Sequence, residues 1–156
     1  MIKINVVAVG KVKEKYFAEG INEYKKRISK YADFTITELP EENFSKITDG
    51  GKTIIERETS HILPHLKGYV IANCIEGEKF SSESFSRTLK GLFDRGEGVI
   101  TFVIGGSYGL SNEVKKRANK LVSFSDMTFP HTLFRLMLTE QIYRAFNIIN
   151  NTPYHK

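Results

Sequence analysis

The chain alternates short apolar runs with amphipathic stretches. Ile4, Val6, Val7 and Val9 make an apolar strand that ends at Gly10, and over residues 14–30 Phe17, Ile21, Tyr24 and Ile28 recur at helical spacing. Phe34, Ile36 and Leu39 alternate as a second strand closed by Pro40. Residues 41–51 are polar and glycine-containing and read as a mobile loop. Thr53 followed three positions later by Glu56 has the form of a capping box, opening a helix that runs to about residue 63.

Tyr69 to Ile75 reads as a third strand, and Ser81 to Arg95, carrying Phe85, Leu89, Leu92 and Phe93, as a third helix. Val99 to Ile104 is uninterrupted apolar, the signature of a central parallel strand covered on both faces. Ser111 can cap a short helix from Asn112 to about Asn119, Leu121 to Phe124 is a fifth strand, and a last helix spans about His131 to Ile149. Strands alternating with helices predict an α/β fold, a mostly parallel sheet flanked by helices. In the last helix Leu133, Phe134, Leu136, Met137, Ile142, Tyr143, Phe146 and Ile148 point nearly all round the axis. Apolar on every side means covered on every side, and the second face is expected against another subunit in a two-fold dimer.

At 156 residues the chain makes one domain, spanning 1–156, and 40% hydrophobic with 26% charged residues excludes a disordered chain. The single cysteine, Cys74, permits no internal disulfide, which fits a reducing compartment. The N-terminus lacks the order of a signal peptide and no apolar run approaches a membrane span, so the expectation is a cytoplasmic protein without a membrane partner. Residues 1–30 hold eight basic and three acidic side chains, residues 99–156 seven and three, and the middle eight and twelve. Positive ends suggest a surface for phosphate, although Lys25-Lys26-Arg27 alone reads equally as a solvated helix face.

Two segments carry candidate chemistry. Gly105-Gly106-Ser107-Tyr108-Gly109 follows the central strand and precedes a helix, where open α/β sheets bind ligands. It lacks the lysine of a P-loop and the spacing of a dinucleotide fingerprint, and a plain tight turn is the competing reading. Ser123-Phe124-Ser125-Asp126-Met127-Thr128-Phe129-Pro130-His131 is a small polar loop entering the last helix. His131 there either faces a ligand as a neutral imidazole or is satisfied by nearby backbone. Glu140 and Arg144, at i,i+4 on an otherwise apolar helix, are a structural ion pair or an active-site pair. His61 and His65 are separated by helix-breaking Pro64 and Cys74 lies in an apolar strand, so neither reads as a metal or nucleophilic site. The terminal Tyr154-His155-Lys156 is either a frayed end or a clamp for a base and its phosphate.

With these segments assembled, the chain resembles the RlmH (YbeA-like) family of SPOUT-class RNA methyltransferases over essentially its full length. The resemblance rests on Val7-Ala8-Val9-Gly10-Lys11, the Phe102–Leu110 and Ser123–His131 segments, Glu140-Gln141-Ile142-Tyr143-Arg144-Ala145 and Pro153-Tyr154-His155-Lys156. It implies a C-terminal trefoil knot, a homodimer, and S-adenosylmethionine as methyl donor. The implied reaction is methylation of N3 of a pseudouridine in 23S ribosomal RNA on the assembled ribosome, with no DNA partner. Cofactor contacts carried over by the resemblance fall on Asn73, Gly106, Ser125, Asp126, Met127, Thr128, Phe129 and Pro130. At 73 and 74 the family typically has leucine and an acid, and this chain has Asn73 and Cys74, with Ile75 and Gly77 keeping the register.

Against that chemistry His155, Tyr154 and His131 are candidates to take or relay the N3 proton, His155 first. Arg144 or Lys156 would neutralise the developing oxygen charge, and no metal ligand is assigned. Rival readings are a SPOUT enzyme of other RNA specificity, disfavoured because no room is left for an appended RNA-binding domain, and a non-catalytic ribosome-associated module.

Overall fold

The computed structural model describes residues 1–42 and 49–156. The central part of the 41–51 segment, expected to be a mobile loop, therefore lies outside the described residues. Among the described residues five parallel strands form one sheet, β1 (Lys3–Val9), β2 (Asp33–Leu39), β3 (Tyr69–Lys79), β4 (Val99–Ile104) and β5 (Lys120–Ser123), in the order β2-β1-β4-β3-β5. Helices α1 (Lys15–Ile28), α2 (Lys52–Ile62), α3 (Ser82–Asp94), α4 (Asn112–Arg117) and α5 (His131–Ile149) connect and cover them.

Alternation along β1 sorts the core into two layers. Ile4, Val6 and Ala8 join Phe102, Phe85, Leu89, Leu138, Ile142 and Phe146 on the face covered by α1, α3 and α5. Val7 and Val9 join Val70, Ala72, Val103, Ile62 and Val114 under α2 and α4. Because helices cover both faces of the sheet, Phe102 and Ile104 of β4 are buried in one layer and Val103 in the other, which is why its sequence is continuously apolar.

Helix α5 packs in a groove between α1 and α3, and Phe146 stacks between Tyr31 (5.3 Å between ring centres) and Phe93 (5.7 Å). Each such pair contributes about 1 kcal/mol beyond the area it buries. No residue of α5 is fully exposed even in the single chain. The all-round apolar pattern is thus explained in large part by neighbours within the chain, while Leu133, Leu136, Met137 and Ile148 remain half-buried.

Three local expectations are corrected. Thr53 does not cap α2. The N-cap is Gly51 in the left-handed region (φ 87°), and the carboxylate of Asp49 accepts instead from the N–H groups of Gly51 (3.1 Å) and Thr53 (3.0 Å) and from the Thr53 hydroxyl. An acid four residues before Thr53 reaches these orphan amides with better geometry than Glu56 inside the helix. β3 does not stop at Ile75 but runs to Lys79, because Asn73 and Glu78 both pair with Val122 and residues 74–77 bulge out between them. Gly77 sits in the bulge where a side-chain carbon would be 2.6 Å from Val122 backbone. α4 ends at Arg117, where Ala118 turns extended.

Candidate functional site

Beyond the carboxyl ends of β3, β4 and β5 lies a cleft of about 790 Å³. One wall is the glycine turn after β4. The Gly109 N–H donates to the Gly106 carbonyl (3.0 Å), Gly109 takes φ 81°, and a side-chain carbon on Gly105 would be 2.8 Å from the Gly109 carbonyl carbon. Only glycine lets the two backbones meet so closely, leaving main-chain groups rather than side chains to line the cleft.

The opposite wall is the loop from β5 to α5. Ser123 Oγ donates to the Ser125 carbonyl (3.0 Å) and Ser125 Oγ accepts from the Met127 N–H (3.0 Å), so short serine side chains hold its shape. Ser125, Met127, Thr128, Phe129, Pro130 and His131 all face the cleft, as do Gly106 and Asn73. Asp126 does not. It points outward, 80% exposed, to Lys79 Nζ at 2.5 Å. The seven other cofactor positions carried over from the resemblance are thereby brought together, and Asp126 would contribute only its backbone.

The bulge of β3 supplies the floor. Asn73 stands one residue past the last β3–β4 pair, Ala72 with Val103, and its Nδ2 donates to the Val103 carbonyl (3.2 Å). Oδ1 of Asn73 has no partner among the described residues. Burial, and then Glu76, pushes the Cys74 thiol up, so it stays protonated beside the cleft. His131, the first residue of α5, has a buried Nδ1 without a partner among the described residues, and its Nε2 is 3.9 Å from Glu41. Ser107 of the glycine turn donates to the same Glu41 oxygen at 3.2 Å.

Arg144, Tyr154 and His155 form a separate cluster. Arg144 lies 13 residues after His131 on α5, about 20 Å along the axis. Its Nε (2.9 Å) and Nη2 (2.5 Å) both donate to Oε1 of Glu140, and its guanidinium carbon is 4.8 Å from the centre of the Tyr154 ring. Tyr154 Oη donates to the same Glu140 oxygen (3.1 Å). Burial, with the hydrogen bond to Tyr24 and the nearby Glu140, holds the Tyr154 phenol well above its usual range, so it remains neutral. His155 bridges Arg144 and Glu83, at 3.1 and 2.7 Å. The tail is thus pinned rather than frayed, and of its last three residues only Lys156 is exposed. A second, smaller hollow of about 370 Å³, lined by Tyr24, Phe80, Phe85, Met137 and Glu140, adjoins this cluster and shares Val122 and Phe124 with the cleft.

The sequence pattern marks none of Glu83, Tyr24, Glu41 and Glu58 as a site residue. Each is an ordinary surface or helix residue by pattern, and only partners distant in the chain mark it.

Residues 2–155 match the family described as a predicted SPOUT methyltransferase. The chain belongs to the RlmH family of SPOUT methyltransferases. Among RlmH-family proteins, it is 48% identical over 159 residues to the ribosomal RNA large subunit methyltransferase H of Limosilactobacillus fermentum, covering 99% of this chain and all of that protein. It is 45% identical, with the same coverage, to the enzyme of that name from Streptococcus uberis. The RlmH-family fold is similar to that of the tRNA (m1G37) methyltransferase of Aquifex aeolicus, with a TM-score of 0.55 at 15% identity, over 92% of this chain and 69% of that one.

Proposed function

We propose that the chain transfers a methyl group from S-adenosylmethionine to N3 of a pseudouridine in 23S ribosomal RNA, on the assembled ribosome and as a homodimer. The observation that carries this reading is the backbone-lined cleft at the carboxyl ends of β3–β5, in a chain whose full-length relatives are named for ribosomal RNA methylation. The donor set suits this ligand. Glycine-turn amides and carbonyls and the Ser125–Pro130 loop offer hydrogen bonds, Ile75, Leu110, Val122 and Phe129 offer apolar contact to a purine, and the volume is that of a small-molecule site. A trefoil knot in the segment from β4 to α5 would hold both walls together. No helix among the described residues is long and apolar enough to cross a membrane, which accords with work in the compartment that holds ribosomes.

When bound, the cofactor supplies a methyl group on an electrophilic sulfonium. The protein's own residues have to hold it, exclude water and help N3 lose its proton. Gly106, Ser125, Met127, Thr128, Phe129 and Pro130 hold, with the backbone at Asn73. His131 stands at the cleft itself, in the first turn of α5. His155 receives the N3 proton, and Arg144, already charged against Glu140, turns toward the oxygen on which negative charge develops. Because Arg144 lies far along α5 from the cleft of its own chain, and His155 of the tail lies against it, a two-fold partner is favoured as the source of one half of the site. Exposed Lys11, Lys13, Lys25 and Lys26 suit RNA phosphate, while Arg27 is taken up by Glu23 (3.0 Å) and Arg117 by the Leu66 carbonyl (3.0 Å).

The test is transfer of a labelled methyl group to ribosomes lacking the modification, followed by mass mapping of the RNA. Label at N3 of one pseudouridine supports the reading; no incorporation by folded protein that is saturated with cofactor overturns it.

A further inference from the structure

The contacts of His155 determine which of its nitrogens carries the proton. Arg144 Nη1 approaches Nδ1 of His155 at 3.1 Å. A guanidinium has only donors, so Nδ1 is the acceptor and bears no hydrogen. The proton of the neutral ring is then on Nε2, which lies 2.7 Å from Oε1 of Glu83. The hydrogen bond to His155 holds the Glu83 carboxyl below the usual carboxylate range, as an ionised acceptor requires. Glu83 stands in the first turn of α3, within the Ser81–Ser84 capping box. That box sets the direction of the helix entrance, and α3 and the tail are 72 residues apart in the chain.

We infer that Glu83 is a positioning residue for His155, fixing its Nε2–H tautomer and thereby reserving Nδ1 for the substrate's proton. The inference rests on the proposed methylation. When Arg144 leaves the Nδ1 lone pair for the developing oxygen charge, the N3 proton passes to Nδ1 and N3 keeps the electron pair that bonds the methyl carbon. The carbon–sulfur pair leaves with sulfur. The imidazolium so formed is held by the Glu83 carboxylate through Nε2–H. Glu83 touches no reacting atom, and its part is that of the third group that orients a base in a catalytic triad.

Two measurements on the intact protein test this. The first is nitrogen NMR of 15N-labelled histidine, assigned with His155→Ala, at a pH where the ring is neutral. The Nε2–H tautomer is expected in the wild type, and an Nδ1–H tautomer overturns the inference whether or not the protein methylates RNA. The second is single-turnover methylation of unmodified ribosomes by Glu83→Ala and Glu83→Gln. Glu83→Ala is expected to be about 10-fold to 100-fold slower, a part of what a general base contributes, with cofactor Kd and RNA KM unchanged. Glu83→Gln, whose amide oxygen still accepts the Nε2 hydrogen, is expected to recover much of the rate. Wild-type rates in Glu83→Ala beside a slow His155→Ala would sink the role of Glu83 and leave the proposed function standing. Equal losses in Glu83→Ala and Glu83→Gln, accompanied by a lowered melting temperature, would reduce Glu83 to a structural contact. If the wild type itself transfers no methyl group, the proposed function fails and the tautomer alone decides whether Glu83 orients His155.

Discussion

The carboxylate of Glu58 occupies the space behind Gly106. A side-chain carbon on Gly106 would lie 3.0 and 3.1 Å from the two Glu58 oxygens and 3.2 Å from Cγ1 of Val9. The glycine is therefore demanded from behind the turn, and its backbone is left to face the cleft. Gly106→Val is expected to push the turn off α2 and into the cleft, so that S-adenosylmethionine binding measured by calorimetry is lost while the fold survives. Gly106→Ala should be milder, and milder still in a Glu58→Ala background. Thermal unfolding of the wild type, Gly106→Ala, Glu58→Ala and the double variant should give a coupling of about 1 kcal/mol; strict additivity would show that the two residues do not contend for the same space.

Glu58 is 2% exposed, and among the described residues only its Oε2 has a hydrogen-bond partner, the Glu42 N–H at 3.2 Å. Burial raises its carboxyl above the ordinary range against the hydrogen bond from the Glu42 N–H, and the charges of Glu41 and Glu42 add to the rise. A carboxyl with a folded pKa above its unfolded one favours the protonated form in the fold. Its ionisation therefore costs stability as pH rises through the folded value, and that cost is absent below the unfolded value. Glu58→Gln should flatten the fall in melting temperature from weakly acid to alkaline pH, with the two proteins converging in slope below about pH 4. Parallel pH profiles across the whole range would contradict this.

Arg135, 2% exposed, donates to Glu38 Oε2 (2.5 Å) and to the Gly10 carbonyl (3.0 Å). The Glu38 side chain is 40% exposed. Removing the acid strands a buried cation, whereas removing the cation leaves an acid that water can reach. Glu38→Gln is expected to cost about 3 kcal/mol in denaturant unfolding, and Arg135→Met clearly less. The reverse order would show that the Gly10 carbonyl, and not Glu38, is the main partner of Arg135.

His155→Ala should slow single-turnover methylation on the order of 100-fold or more and leave cofactor binding intact. Unchanged rates at saturating RNA would remove His155 as the proton acceptor.

If cleft and tail cluster come from different subunits, Gly106→Val and His155→Ala are each inactive alone but complement one another. Mixed dimers, with one wild-type cleft facing one wild-type tail, should recover about a quarter of the wild-type rate, assuming random pairing of subunits. No recovery in mixed dimers verified by mass spectrometry would place the whole site within one chain.

Much of this was legible in the chain. The apolar strand β1 and the unbroken apolar run of β4 revealed a parallel sheet because burial on both faces is written directly into side-chain type. The glycine turn and the Ser125–Pro130 loop were legible because close backbone approach requires glycine and short polar side chains. The bulge in β3 was not, since residues 74–77 leave the strand only to accommodate β5, and no local propensity records a partner strand. Nor was the cap of α2, where Asp49 outcompeted a residue pair with the right spacing.

The order of elements, the two-faced core and the location of a cleft beyond the sheet follow from the sequence by itself, because they depend on periodicity and on glycine at turns. Tertiary structure alone decided that Asp126 faces Lys79 instead of the cleft, that the tail is pinned on Glu140 and Glu83, and that Glu58 backs Gly106. Those relations join residues tens of positions apart, and their energies come from burial and hydrogen-bond geometry, which exist only once the chain has closed on itself.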